Sequence, residues 1–153
     1  MLDLPPGKAM TKGMMKISCL CGKVTIETTK PPDFVNECNC TLCRKSGARW
    51  GYFTPAEVVI EGTTSGYSRH DKEAPAVQVC FCPECGSTTH FVLTPHAIAR
   101  FGKTMVGVNM ALAEESQLIG VEWRYPDGLA WSGEGPFDYL REARIVGQAA
   151  SPD

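Results

Sequence analysis

No apolar run in this 153-residue chain approaches the length of a membrane-spanning helix, so a membrane partner is not expected. The N-terminal stretch MLDLPPGKAMTKGMMK places Pro5, Pro6 and Gly7 where a secretory leader needs continuous apolar residues, and a cytoplasmic protein is expected. An excess of one charge is also missing. With 15 Lys and Arg against 17 Asp and Glu, the net charge of -2 gives no general attraction to nucleic acid or to an anionic surface, and no nucleic-acid partner is expected. Histidine is scarce: His70, His90 and His96 all lie outside the cysteine motifs, and core or surface roles outweigh proton shuttling for each. Helical periodicity is weak except in PFDYLREAR near the end, which reads as an amphipathic helix packing on the rest of the fold or on a partner subunit.

What the chain has instead is short β-like runs punctuated by Gly and Pro. KVTIETT alternates from Lys23 to Thr29, and RWGYFT, EVVIEG, AVQVCF, THFVL and ARFGKTMVGV continue the pattern. TKPPD, EGTTSGY and RYPDG mark the gaps. At 43% apolar and 21% charged residues, one mainly β domain is expected over residues 16–140. Residues 1–15, with Met10, Met14 and Met15, read as a flexible leader, and residues 141–153 as a C-terminal tail. The segment ARFGKT resembles a phosphate loop only superficially, since Ala97 stands where the first Gly is needed.

Cysteine is the abundant residue. Eight cysteines fall into three groups: CLCG (Cys19, Cys21), CNCTLC (Cys38, Cys40, Cys43) and CFCPECG (Cys80, Cys82, Cys85). In a reducing compartment such grouping points to metal rather than to disulfides. CPECG forms a knuckle, a turn that aims two sulfurs at one point and directs backbone N–H groups toward them. It supplies half of a tetrahedral ligand set, and CLCG is the natural donor of the other half. Zinc fits, and an iron–sulfur cluster also takes four thiolates. Eight thiols leave open two closed sites, or one closed site plus a three-thiolate site with an open position.

The ordered motifs C-x-C-G, C-x-C-x-x-C-R and F-C-x-x-C-G resemble the glutathione-dependent formaldehyde-activating enzyme family, which includes centromere protein V. They are carried here by Cys19, Cys21 and Gly22, by Cys38, Cys40, Cys43 and Arg44 with Gly47 and Ala48 behind them, and by Phe81, Cys82, Cys85 and Gly86. The resemblance implies a compact β-tent-like fold of two small antiparallel sheets stapled by zinc, with little helix. It implies two zinc ions per chain: a structural one on Cys19, Cys21, Cys82 and Cys85, and a second, open and catalytic, on Cys38, Cys40 and Cys43. The implied activity is that of a carbon–sulfur lyase acting on adducts of glutathione, or a related thiol, with formaldehyde or another small aldehyde. A non-catalytic zinc-stabilised binding module of the same fold is the alternative, and a homo-oligomer stays open. Arg44 and Lys45 are candidates for offsetting the thiolate charge or holding a glutathione carboxylate, against the plainer reading of a solvated pair. Cys80 lies outside the motif, as a buried core thiol or an extra ligand. Trp50, Tyr52 and Trp131 are pocket or core aromatics.

Overall fold

The computed structural model describes residues 13–149. Two sheets face each other. The smaller contains β1 (Met15–Ser18), β2 (Thr25–Thr28) and β5 (Val58–Glu61), all antiparallel, in the order β1-β2-β5. The larger contains β3 (Phe34–Asn36), β4 (Trp50–Phe53), β6 (Ser65–Tyr67), β7 (Val77–Phe81), β8 (Thr88–Leu93), β9 (Val106–Asn109), β10 (Glu122–Pro126) and β11 (Tyr139–Ile145). Its order is β11-β10-β3-β4-β9-β8-β7-β6. The expected mainly β, two-sheet architecture with little helix is what forms. The larger sheet has eight strands, however, and its β3–β10 pair runs parallel.

Alternation decides which residues meet between the sheets. In β1 and β2 every second side chain is buried, so Met15, Ile17 and Ile26 point at Val35, Phe53, Val106, Val108, Trp123 and Tyr125 of the larger sheet. Ile26, Val35 and Val108 are wholly shielded from solvent, and each such side chain contributes about 1.5–3 kcal/mol by burial. Met15 is therefore a core residue and not part of a leader; Met10 lies outside the described residues.

The opposite face of the larger sheet is covered by two short helices, α1 (Thr41–Ser46) and α2 (Pro95–Phe101). Trp50, Phe91 and Leu93 pack there against Cys43, Ala48 and Ala97. Phe91 lies so close over β9 that a Cβ on Gly107 would fall 2.0 Å from its ring, which only glycine permits. The helix α2 takes Ala99, Arg100 and Phe101, the first three residues of the expected strand ARFGKTMVGV. Thr94 caps its N-terminus through Ala97 N–H, Pro95 opens its first turn, and Gly102 ends it in the left-handed conformation.

The C-terminal helix expected in PFDYLREAR does not form. Tyr139–Ile145 is the edge strand β11, antiparallel to β10, so residues 141–145 are sheet rather than tail. Arg141 and Arg144 lie over the rings of Tyr125 and Trp123, 4.5 and 4.9 Å from the ring centres. Two register shifts along β10–β11 bend the strand and blunt its free edge. No helix among the described residues is long and apolar enough to cross a membrane.

Candidate metal centres and the clefts beside them

The CLCG and CPECG motifs are both hairpin turns. Cys19–Gly22 joins β1 to β2 in the smaller sheet, and Cys82–Gly86 joins β7 to β8 in the larger. Gly22 and Gly86 take positive φ of 81° and 78°, and their N–H groups donate to the carbonyls of Cys19 and Cys82. Leu20 N–H donates to Ser87 Oγ at 3.1 Å, tying the two turns together. The four sulfurs then lie within 4.8 Å of one another, with Cys19–Cys21 at 3.6 Å and Cys21–Cys82 at 3.7 Å. A regular zinc tetrahedron with Zn–S of about 2.3 Å has sulfurs about 3.8 Å apart. The site is thus shaped for a four-thiolate ion that bridges the two sheets. The Ser87 hydroxyl and N–H favour the Cys85 thiolate and hold its pKa down to about 5.

The middle trio sits on the other side of the larger sheet, in the β3–α1–β4 connection. Cys40 is the N-cap of α1, its sulfur accepting from Cys43 N–H at 3.4 Å, and Cys38 Sγ accepts from Cys40 N–H at 3.4 Å. The three sulfurs also lie within 4.8 Å of one another, and no fourth His, Cys, Asp or Glu among the described residues joins them. Three adjacent thiols do not all ionise. Hydrogen bonds from Cys38 and Cys43, helped by the N–H groups at the helix start, push Cys40 down to about 2, while Cys40 pushes Cys38 up and Cys38 and Cys40 together push Cys43 up. A cation would relieve that conflict, as thiolate ligands require.

A loop beyond β10 closes over the trio. Asn39, between two candidate ligands, donates from Nδ2 to Asp127 Oδ1 at 2.8 Å and accepts from Leu129 N–H at 2.9 Å. Gly128 then lies against Cys38, where a Cβ would stand 2.3 Å from the sulfur. Sequence reading did not single out Asn39, Asp127 or Gly128, because the two chain segments that they join are nearly ninety residues apart.

A family model described as glutathione-dependent formaldehyde-activating enzyme matches residues 14–121, more than two thirds of the chain. The chain belongs to that family. No curated protein matches it significantly. Among solved structures, a Rhodobacter sphaeroides protein determined as a structural-genomics target is similar, with a TM-score of 0.50 and 26% identity over 65% of this chain and 88% of that one. Both cysteine clusters fall inside the segment matched to the formaldehyde-activating enzyme family, whereas the Asp127–Leu129 loop and β11 lie beyond it.

Arg44 and Lys45 part company. Arg44 lines a groove of about 310 Å³ with Cys38, Cys43, Arg49, Tyr125 and Arg141, whereas Lys45 faces a separate cleft on the other flank of α1. Arg49 is engaged by Glu37 at 2.7 Å, and neither Arg44 nor Lys45 has an ion-pair partner among the described residues. Cys80 belongs to neither cluster. It pairs directly with His90 across β7–β8, and His90 with Val108, so its side chain shares the face turned to the smaller sheet, away from the trio. Trp50 and Tyr52 lie beneath the trio as packed aromatics, and Tyr52 Oη accepts from Asn36 Nδ2 at 3.1 Å. Burial first, then the nearby sulfurs, push the Tyr52 pKa upward, so it remains neutral. Trp131 is partly exposed and packs on Phe137.

Proposed function

We propose that this protein is a zinc-dependent carbon–sulfur lyase-type enzyme, cytoplasmic, that carries two zinc ions per chain and promotes the reversible addition of glutathione or a related thiol to formaldehyde or another small aldehyde. The observation that carries the reading is the Cys38, Cys40 and Cys43 triad, which offers three sulfurs beside a groove and, among the described residues, no fourth Cys, His, Asp or Glu donor. Zinc held there would supply Lewis acidity and favour thiolate over thiol at neutral pH. In the reaction the thiol sulfur bonds to the carbonyl carbon, the carbon–oxygen π bond breaks, and the thiol proton ends on oxygen.

The chain's own residues set the conditions for this. Three thiolates leave a divalent site with net negative charge, which opposes the approach of a further thiolate. Arg44, in the same groove and without an ion-pair partner among the described residues, offsets that charge. Trp50, Tyr52 and Phe91 form a dry floor beneath the trio, and the Asn39-anchored loop limits access from above. The closed Cys19, Cys21, Cys82 and Cys85 site takes no part beyond holding the sheets together.

Formaldehyde and glutathione combine without help, so the test measures rate and not equilibrium. Exchange-spectroscopy NMR on an equilibrated mixture is expected to show faster interconversion with wild-type protein and none of that acceleration with Cys40→Ala. Arg44→Ala is expected to slow exchange by roughly tenfold with metal retained, the effect of one lost charge-assisted contact. No acceleration across several thiols and aldehydes, with both sites loaded, would sink the enzyme reading in favour of a non-catalytic zinc-stabilised module.

A further inference from the structure

The helices on the outer face of the larger sheet leave part of that face bare. Phe91 and Leu93 of β8 are packed beneath α1 and α2, whereas Val79 and Phe81 of β7, which alternate onto the same face, stay half-buried. Together with Leu42 of α1 and Tyr67 of β6 they wall a cleft of about 680 Å³, within the range of about 300–1,000 Å³ that holds small ligands. The ring of His70 leans on that of Tyr67 at 5.4 Å.

The rim decides which charge the cleft accepts. Lys45 stands on the helix side, and Arg69 and Asp71 on the loop after β6. Arg69 holds Asp71 by two hydrogen bonds, Nε to Oδ1 at 2.8 Å and Nη2 to Oδ2, so both carboxylate oxygens are engaged and the pair is neutral as a whole. An entering ammonium finds no free anion there. Lys45 has no ion-pair partner among the described residues and leaves one positive charge uncompensated. Two of the lining hydroxyls are spent on the fold, Thr88 Oγ1 donating to the Ser46 carbonyl at 3.0 Å and Ser46 Oγ to that of Cys43 at 3.3 Å. One free cation complements a monoanion, and a phosphate would leave charge unmatched. Apolar walls with a single cation at the rim suit an apolar body that ends in a carboxylate.

We propose that this cleft binds an apolar monocarboxylate, its aryl or alkyl body against Leu42, Tyr67, Val79 and Phe81 and its carboxylate on Lys45. The site is separate from the metal groove. Arg44, Cys38 and Cys43 line that groove on the other flank of α1, and none of them lines the cleft. The occupant is therefore a second ligand and not part of the thiol or the aldehyde, and the site stands whether or not the trio is catalytic.

Phenylbutyrate is the probe, titrated into zinc-loaded full-length protein by calorimetry with amide shifts followed by NMR. Saturable binding with a Kd below about 1 mM is expected, moving the signals of Lys45, Tyr67 and Val79 and not those of Tyr125 and Arg141 in the metal groove. Phenylbutyramide and phenylbutylamine, which keep the body and change the head group, are each expected to bind roughly tenfold more weakly. Lys45→Ala is expected to remove the advantage of the acid over the amide with zinc content and melting temperature unchanged, and Lys45→Arg to keep it. Tyr67 is 53% exposed, so Tyr67→Ala is expected to leave the fold intact and to weaken acid and amide alike. Arg69→Ala frees Asp71 and is expected to raise the affinity of the amine. Absent binding, equal affinity for the three probes, or an acid preference that survives Lys45→Ala overturns the proposal. An Arg44→Ala effect as large as that of Lys45→Ala places the carboxylate in the metal groove and overturns it too. Formaldehyde exchange is read in none of these arms, so their outcome is independent of that activity.

Discussion

Gly128 leaves no room for a side chain against Cys38: a methyl group at its α-carbon would stand 2.3 Å from the sulfur and 3.2 Å from Cys40 Cβ. The loop that carries Gly128 is held by Asn39, so it cannot retreat without breaking the two bonds that Asn39 makes to Asp127 and Leu129. Gly128→Ala must therefore displace either the loop or the Cys38 sulfur, at about 1–3 kcal/mol of strain. The expected result is metal content falling toward one ion per chain, measured by elemental analysis, with the four-cysteine site still loaded. A fully loaded variant with unchanged exchange kinetics would show that the loop yields freely and does not shape the site.

The two clusters differ in what they connect, and that predicts different consequences of losing a ligand. Cys82 is 1% exposed and sits in a turn of the larger sheet, facing Cys19 and Cys21 in a turn of the smaller one. Cys82→Ala removes a bridge whose metal contributes on the order of 10 kcal/mol, comparable to the whole net stability of a domain. Loss of the cooperative melting transition is expected. The trio lies within one β3–α1–β4 connection, so Cys40→Ala is expected to leave a folded protein with a single ion. Equal collapse of both variants in thermal denaturation would assign a structural role to the trio as well.

Much of this was legible in the sequence because metal-ligand spacing is local. C-x-C-G and C-x-x-C-G each write out a complete hairpin turn, glycine included, and the cysteine trio spans one cap and one helical turn. The helix α1 itself was not legible: six residues are too few to show a period, and its cap is a cysteine rather than Ser, Thr, Asp or Asn. For α2 the signals were present, Thr94 before it, Pro95 at its first position and Gly102 after it, but they were masked by the β-like reading of the residues that follow. In β11 the residues Leu140, Arg141, Glu142 and Ala143 favour helix, and pairing with β10 together with cation–π contacts overrides that preference. The approach of Gly128 to Cys38 depends on the parallel β3–β10 pair, which no local pattern encodes.

Cys80 is the thiol that the motifs leave unplaced, and the sheet puts it on the wrong face for the trio. Its sulfur is buried and points to the Gln78 carbonyl at 3.8 Å, with burial pushing its pKa up. Cys80→Ser is expected to retain both metal ions and to lower stability by about 1–3 kcal/mol, since a hydroxyl is buried there with imperfect pairing. Calorimetric unfolding and metal analysis on the same preparation check both parts. Loss of one ion would mean that Cys80 reaches a cluster in solution.

His90 gives the fold a predictable response to acid. It is 5% exposed, its Nδ1 lies 2.9 Å from Thr89 Oγ1, and burial lowers its pKa below the ordinary histidine range. Cys80, directly across β7–β8, is pushed up and stays a neutral thiol, so it offers no anion to hold a proton on the imidazole. The unfolded chain carries histidine near its ordinary pKa of about 6.5 and binds a proton below that pH, whereas the folded chain does not. Stability from this group is accordingly complete above about pH 7 and declines as pH falls through 6.5, by at most about 1.4 kcal/mol per unit. His90→Gln is expected to remove that part of the slope. Because acid also releases zinc from thiolates, the informative quantity is the difference between wild type and variant, both zinc-loaded, in denaturant midpoints from pH 7.5 to 5.5. Parallel curves for the two proteins would show that His90 titrates alike in the folded and unfolded chain.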